Sequence, residues 1–212
     1  MDNADDFEKQ CMDNPPESNF SFELMLLSIL AGSLFCGVHL LNGWLLRQVE
    51  FTQHISLIYL PGFLRLANVL ILGLFWGTAA TAIGGIMLMA WTSESWGIAL
   101  SNVAVSAGVA ALAIVVLQAL LQRRLSLSKL SDLLRLALLY ALLNALCHHV
   151  LWSLIDPSQL VDRQQIFYMA MGDLNGAVIG AFALRWMARH TRITGFARDM
   201  AMRARPDDRP KP

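Results

Sequence analysis

The stretch from Ile55 to Trp91, ISLIYLPGFLRLANVLILGLFWGTAATAIGGIMLMAW, constrains the rest of the chain more than any other. It is apolar almost throughout and carries one formal charge, Arg65. As a single helix it would be about 55 Å long at 1.5 Å per residue, nearly twice the hydrocarbon thickness of a bilayer, so it is expected to divide near Gly73 to Gly77. A guanidinium among Leu64, Leu66, Val69 and Leu70 costs roughly 2.5–3.5 kcal/mol on insertion scales unless it faces protein or water. Arg65 therefore needs an internal partner. The only acid well inside another apolar run is Asp173, in MAMGDLNGAVIGAF.

The whole chain points the same way. Its 212 residues are 56 % hydrophobic and 15 % charged, too apolar for an ordinary soluble domain of this size. The expected fold is all-α, a polytopic membrane helical bundle. Further apolar spans run from about Phe22 to Leu46, Gly97 to Gln122, Leu130 to Leu154 and Gln165 to Met187. With the long stretch divided, about six transmembrane helices result. Pro61-Gly62 and Asp156-Pro157 are expected breakers at helix ends. Residues 1–20 are acidic and read as a disordered tail rather than a cleavable signal, residues 21–188 as the transmembrane domain, and residues 189–212 as a basic tail.

Orientation follows from the cations. Arg123, Arg124 and Lys129 lie between the fourth and fifth spans, and Arg189, Arg192, Arg198, Arg203, Arg205, Arg209 and Lys211 follow the last. The positive-inside rule makes both segments cytoplasmic, and six crossings then place both termini there. A formal net charge of zero gives no electrostatic argument for nucleic acid. Cys11, Cys36 and Cys147 form no CxxC and no zinc spacing, so no metal or cofactor is expected. A haem or metal held by His39 and His148 is a minor alternative.

The intramembrane polar residues gather in the half of the bundle away from the cytoplasm. Arg65 and Asp173 fall about 12 Å below the outer surface at 1.5 Å per residue. His39, Asn42, Asn102, Asn144 and His148 fall in the same half, with Asn68 and Asn175 slightly deeper. Tyr140, Asn144, His148 and Trp152 recur every four residues and share a helix face. These positions are expected to line a cavity with an Arg65–Asp173 pair at its floor, closed beneath by Leu, Ala, Val and Gly. The same pair read as purely structural gives the alternative, since intramembrane polar residues also join helices without binding anything. Gly172, Gly176 and Gly180, like Gly77, Thr81 and Gly85, are expected to let helix backbones approach closely. No HExxH, GxSxG, P-loop or paired carboxylates are present, so no enzymatic activity is expected.

Two stretches together resemble a known family. YLPGFLRLANVLILG (Tyr59 to Gly73) and MGDLNGAVIGAF (Met171 to Phe182) are similar to the first class of membrane-associated sensor domains of bacterial signalling proteins. Pro61, Gly62, Gly73, Gly172, Asp173 and Gly176 stand where that family has a Pro-x-Gly opening, a helix ending in Gly and a Gly-Asp-x-x-Gly element. The likeness covers about residues 55–187, without the family's cytoplasmic output domain. It implies a multi-pass protein of the bacterial inner membrane that detects a small ligand or membrane state and acts through a separate signalling partner. The gross architecture is also similar to the substrate-binding component of energy-coupling-factor transporters. That likeness implies a small polar substrate at Arg65, Asn144, His148 and Asp173, and a transporter partner against Ser28, Gly32 and Cys36. A structural membrane protein, with the lipid bilayer as its only partner, is the third expectation.

Overall fold

The computed structural model describes residues 16–46, 50–52, 55–125, 129–155 and 163–190. Helices dominate: α1 (Pro16–Leu45), α2 (Leu60–Leu88), α3 (Trp96–Leu121), α4 (Leu130–Ile155) and α5 (Arg163–His190). A small antiparallel hairpin of β1 (Glu50–Thr52) and β2 (Ile55–Ser56) joins α1 to α2, and a 3-10 turn, Met89–Trp91, follows α2. Among the described residues five helices are long and apolar enough, by length and composition, to cross a membrane, where six were expected. Helix α1 begins at Pro16, inside the segment expected to be a tail. The expectations for residues 1–15, for Asp156-Pro157 and for the tail beyond His190 lie outside the described residues.

The difference in helix number is made at Gly73. This residue has φ +85° and ψ 173°, a region open to glycine and closed to residues with a side chain, and the helix breaks there. The chain then doubles back. A Cβ at Gly77 would overlap the backbone of Asn68 and Val69, and Asn68 Nδ2 donates to Thr81 Oγ1 at 3.3 Å. In an unbroken helix residues 68 and 81 would stand about 20 Å apart. Residues 60–72 and 74–88 are therefore antiparallel arms, about 20 and 22 Å long at 1.5 Å per residue. The expected division of the long stretch is present, but each arm is shorter than the roughly 30 Å of bilayer hydrocarbon. Nothing lies within 4 Å of a Cβ built on Gly73, so substitution there acts on the backbone alone. Gly73→Ala is expected to lower stability by about 1–3 kcal/mol, read as a lower melting temperature in detergent.

Neighbouring helices follow from this reversal. On α1, Ser28 donates to the Trp76 carbonyl at 3.2 Å, and a Cβ at Gly32 would press on Ala80 and Gly84. Further along α1, the Asn42 side chain accepts from the Leu60 amide at 3.0 Å. Pro61 follows in the first turn of α2, where its missing N–H is no loss. Asn42 thus serves as the cap that Tyr59 does not supply, reaching from a different helix. On α5, Cβ atoms at Gly172, Gly176 and Gly180 would overlap Ser56, Tyr59 and Phe63, so this ladder seats the entrance of α2. The start of α1, the end of α5 and the α3–α4 connection consequently share one end of the bundle. At that end Arg123 makes a two-pronged ion pair with the buried Asp132, at 2.6 and 2.7 Å. The hydrogen bonds from Arg123 to Asp132 hold the guanidinium above its usual pKa.

The distribution of side chains inverts that of a water-soluble protein. Leu30, Trp44, Phe75, Leu120 and Leu154 are exposed, while Ala80, Ala110, Ala113 and Ala145 are fully buried. Small residues bring backbones together, and large apolar ones are left to face lipid. A plug of Val109, Ala110, Ala113, Ile114, Leu117 and Leu136 closes the half of the bundle nearer Arg123. The opposite half holds Arg65 and Asp173.

Candidate functional site

Arg65 is 4 % exposed and Asp173 1 % exposed, and both line one cavity of about 850 Å³. The cavity opens at the end of the bundle opposite Arg123, between Trp91 to Asn102, Trp152, and Gln165 near the start of α5. It is placed there because α1, α3 and α4 carry their polar residues near this end, and because the Pro61-Gly62 opening of α2 brings Arg65 to the same level.

The expected Arg65–Asp173 ion pair is not direct. Among the described residues, Arg65 Nη1 donates to Tyr140 Oη at 3.2 Å and Asn144 Oδ1 at 3.3 Å, while Nη2 donates to Tyr59 Oη at 3.0 Å. Asn144 Nδ2 then donates to Asp173 Oδ2 at 2.6 Å. The charges are thus joined through one carboxamide. An arginine can only donate and an ionised carboxylate can only accept, so this bridge also fixes which end of the Asn144 amide is oxygen. The other oxygen of Asp173 lies against Gly62, where a Cβ would stand 2.7 Å from Oδ1. The guanidinium also lies over the rings of Tyr59, 5.1 Å from the centroid, and Phe35, at 5.6 Å. These cation–π contacts and the neutral oxygens take the place of a carboxylate in contact.

The donor rule extends the network outward. Tyr59 Oη accepts from Arg65 and lies 2.8 Å from His39 Nδ1. With one proton and two lone pairs, the phenol oxygen serves Arg65 and His39 at once, and the direction of its bond to Nδ1 follows the imidazole tautomer. Near the mouth, Trp152 Nε1 donates to Asn102 Oδ1 at 2.7 Å, and Asn102 Nδ2 donates to Glu94 Oε2 at 3.0 Å. This second chain ties α4, α3 and the segment before α3 together at the rim.

Of the residues expected at the site, Arg65, Asp173, His39, His148 and Asn102 line the cavity. Asn144 lies behind the wall as the bridge. Asn68 and Asn175 do not belong to the site: Asn68 fastens the two arms of α2 through Thr81, and Asn175 Nδ2 donates to the Leu57 carbonyl at 2.9 Å. Helical rise gives a depth but does not specify direction around the axis. Sequence reasoning missed Tyr59 as the residue under the guanidinium, Asn42 as a cap and Glu94 at the rim. Tyr59 stands six residues before Arg65, outside α2, where helical spacing gives no signal. The shared face of Tyr140, Asn144, His148 and Trp152 is present as its spacing implies, with the first two on Arg65 and the last two at the cavity.

Several polar atoms of this cluster are buried without a hydrogen-bond partner among the described residues: Arg65 Nε, Asp173 Oδ1 and both ring nitrogens of His148. His148 is 3 % exposed, and among the described ring contacts it meets Trp152 at a tilt of 51°, with 5.3 Å between centroids. Each such atom costs about 1–3 kcal/mol, so a cluster of them is retained against stability. Among the described residues no group of three His, Cys, Asp or Glu side chains is arranged to hold a metal ion. Cys36 and Cys147 are free thiols.

No family model, curated protein or solved structure matches this chain. The likeness to the sensor domains therefore rests on the two stretches alone, and these two meet: Pro61-Gly62 and the Gly172 to Gly176 element form one contact. Gly62 accommodates Asp173, Tyr59 donates its amide to the Gly172 carbonyl at 3.0 Å, and Gly176 accommodates the Tyr59 carbonyl.

Proposed function

We propose that this chain is a multi-pass protein of the bacterial inner membrane that binds a small polar solute in the cavity and acts as a non-enzymatic, sensor-like module through a separate partner. The observation that carries the reading is a cavity of about 850 Å³ whose wall includes a buried cation and a buried anion, neither saturated with hydrogen bonds. That volume lies within the range of small-molecule sites. Intramembrane charges that pack only for structure would gain from full pairing, and these forgo it.

In this reading the two arms of α2 dip into the membrane and return to the outer face, standing where a six-span count has two passes, and both termini are cytoplasmic with Arg123, Arg124 and Lys129. The cavity then opens away from the cytoplasm, and any signal leaves by the basic segment after α5. The transporter reading is weaker. The α1 face it would offer to a coupling partner is occupied, since Ser28 bonds Trp76, Gly32 presses on Ala80 and Gly84, and Cys36 is buried.

Untargeted mass spectrometry of small molecules released from the purified protein tests the proposal. A solute recovered from the wild type and lost from a folded Arg65→Gln or Asp173→Asn variant is the expected result. Recovery of lipid alone, unchanged between wild type and variants, would count against solute binding. Crosslinking through the segment after α5 tests the output, with a signalling protein as the expected product.

A further inference from the structure

Resting on the solute-binding reading, we infer that the solute is a zwitterion of the amino-acid kind, with a carboxylate and an ammonium group on the same or a neighbouring carbon. The argument starts from Asn144. Its carboxamide presents an acceptor to Arg65 and a donor to Asp173 within the length of a single amide. The interval between the two charges therefore has a polarity, acceptor at one end and donor at the other. An α-amino acid carries the same polarity over a similar distance, with full charges in place of partial ones.

Unused hydrogen-bonding capacity follows the same division. Arg65 makes three of the five hydrogen bonds its guanidinium can donate, and Nε is unpartnered. Asp173 accepts one hydrogen bond, at Oδ2, and Oδ1 beside Gly62 has no partner among the described residues. His148, on the same cavity, adds one donor and one acceptor in its neutral form. A simple anion would satisfy Arg65 and be repelled by Asp173, and a simple cation would do the reverse. A neutral polyol would match the hydrogen bonds without meeting either charge. A zwitterion meets both and brings no net charge into a poorly solvated site.

The rest of the wall sets the substituent. Leu40, Ile98, Val103 and Met169 are apolar, and Trp91 and Trp152 stand toward the mouth. An apolar or aromatic side chain on the zwitterion would lie along them, and a cavity of about 850 Å³ has room for it. The same pairing of an ammonium with an acid group occurs in some phospholipid headgroups, so the source of the chemistry has to be separated in the test.

The full chain is purified in a non-ionic detergent, and its thermal unfolding is followed with each proteinogenic L-amino acid at millimolar concentration. At least one is expected to raise the melting temperature saturably, as a ligand of the folded state does. Its two single-charge counterparts, the acid lacking the amine and the amine lacking the acid, are each expected to bind at least about tenfold more weakly, a difference of ~1.4 kcal/mol. Because the comparison varies the ligand, it does not depend on any variant folding. A folded Asp173→Asn protein is expected to show the same tenfold loss. Three results would each overturn the inference: no amino acid stabilises the protein; a single-charge counterpart binds as well as its parent; or short-chain phosphatidylethanolamine stabilises it and no free amino acid does. A co-purifying solute that is not a zwitterion would remove this inference and leave solute binding intact, whereas no solute of any kind removes both.

Discussion

Gly176→Ala is expected to prevent the last helix from seating, with little or no monodisperse protein recovered from membranes. A methyl group there would overlap the Tyr59 carbonyl, and one at Gly172 would overlap the Ser56 carbonyl. Both obstacles are backbone, which cannot swing aside as a side chain can. The segment cannot retreat either, because Tyr59 is bonded to Gly172 through its amide and to Arg65 through its hydroxyl. Overpacking costs typically about 1–3 kcal/mol where neighbours can adjust, and more where they cannot. Gly37→Ala and Gly108→Ala supply the comparison, since neither Cβ would meet anything within 4 Å. They are expected to be neutral or to raise stability by up to about 1 kcal/mol through helix propensity. Size-exclusion profiles and thermal melts in detergent distinguish the two classes, and equal behaviour would refute the close approach of α5 to the Ser56–Phe63 segment.

The second large effect concerns the relayed charges. Arg65→Met leaves Asp173 with no nearby cation in the network, and Asp173→Asn leaves Arg65 without its anion. Breaking one side of a buried charge pair costs roughly 3–5 kcal/mol, much of it the penalty on the survivor. The double variant removes both charges and keeps the Asn144 amide bonded to a neutral partner at position 173. Its loss is therefore expected to be smaller than the sum of the single losses, by about 0.5–3 kcal/mol. Melting measurements on the four proteins complete the cycle. Strict additivity would mean that the two groups do not sense each other through Asn144. A double variant that is stable yet no longer retains solute would separate binding from folding directly.

Much of this site was legible because charge in an apolar run is rare and has few explanations. Arg65 and Asp173 could be paired in the sequence by elimination, and four-residue spacing could place Tyr140, Asn144, His148 and Trp152 on one face. Contact between the two charges was another matter. It depends on where Gly62 lets Asp173 settle and on Asn144 lying between, and neither follows from depth. The break in the long apolar stretch was foreshadowed by its excess length, whereas the reversal depends on one glycine holding a positive φ. Asn68 was misassigned for that reason: it faces the second arm of α2 only because the arm returns past it. Asn42 and Tyr59 could not be assigned from local pattern, since each acts on a helix to which it does not belong.

The contact between the two glycine motifs joins segments separated by more than half of the polypeptide, and this imposes an order on biosynthesis. When the ribosome has delivered α1 and α2, the guanidinium has two ring faces and one phenol for company. Its remaining partners arrive with α4 and, last of all, α5. Until then the entrance of α2 has no lid of glycines against it, and the unfinished chain carries an uncompensated cation into the translocation machinery. Only with α5 in place are the contacts of Gly172 and Gly176 with the Ser56–Tyr59 segment, and the relay from Asn144 to Asp173, complete.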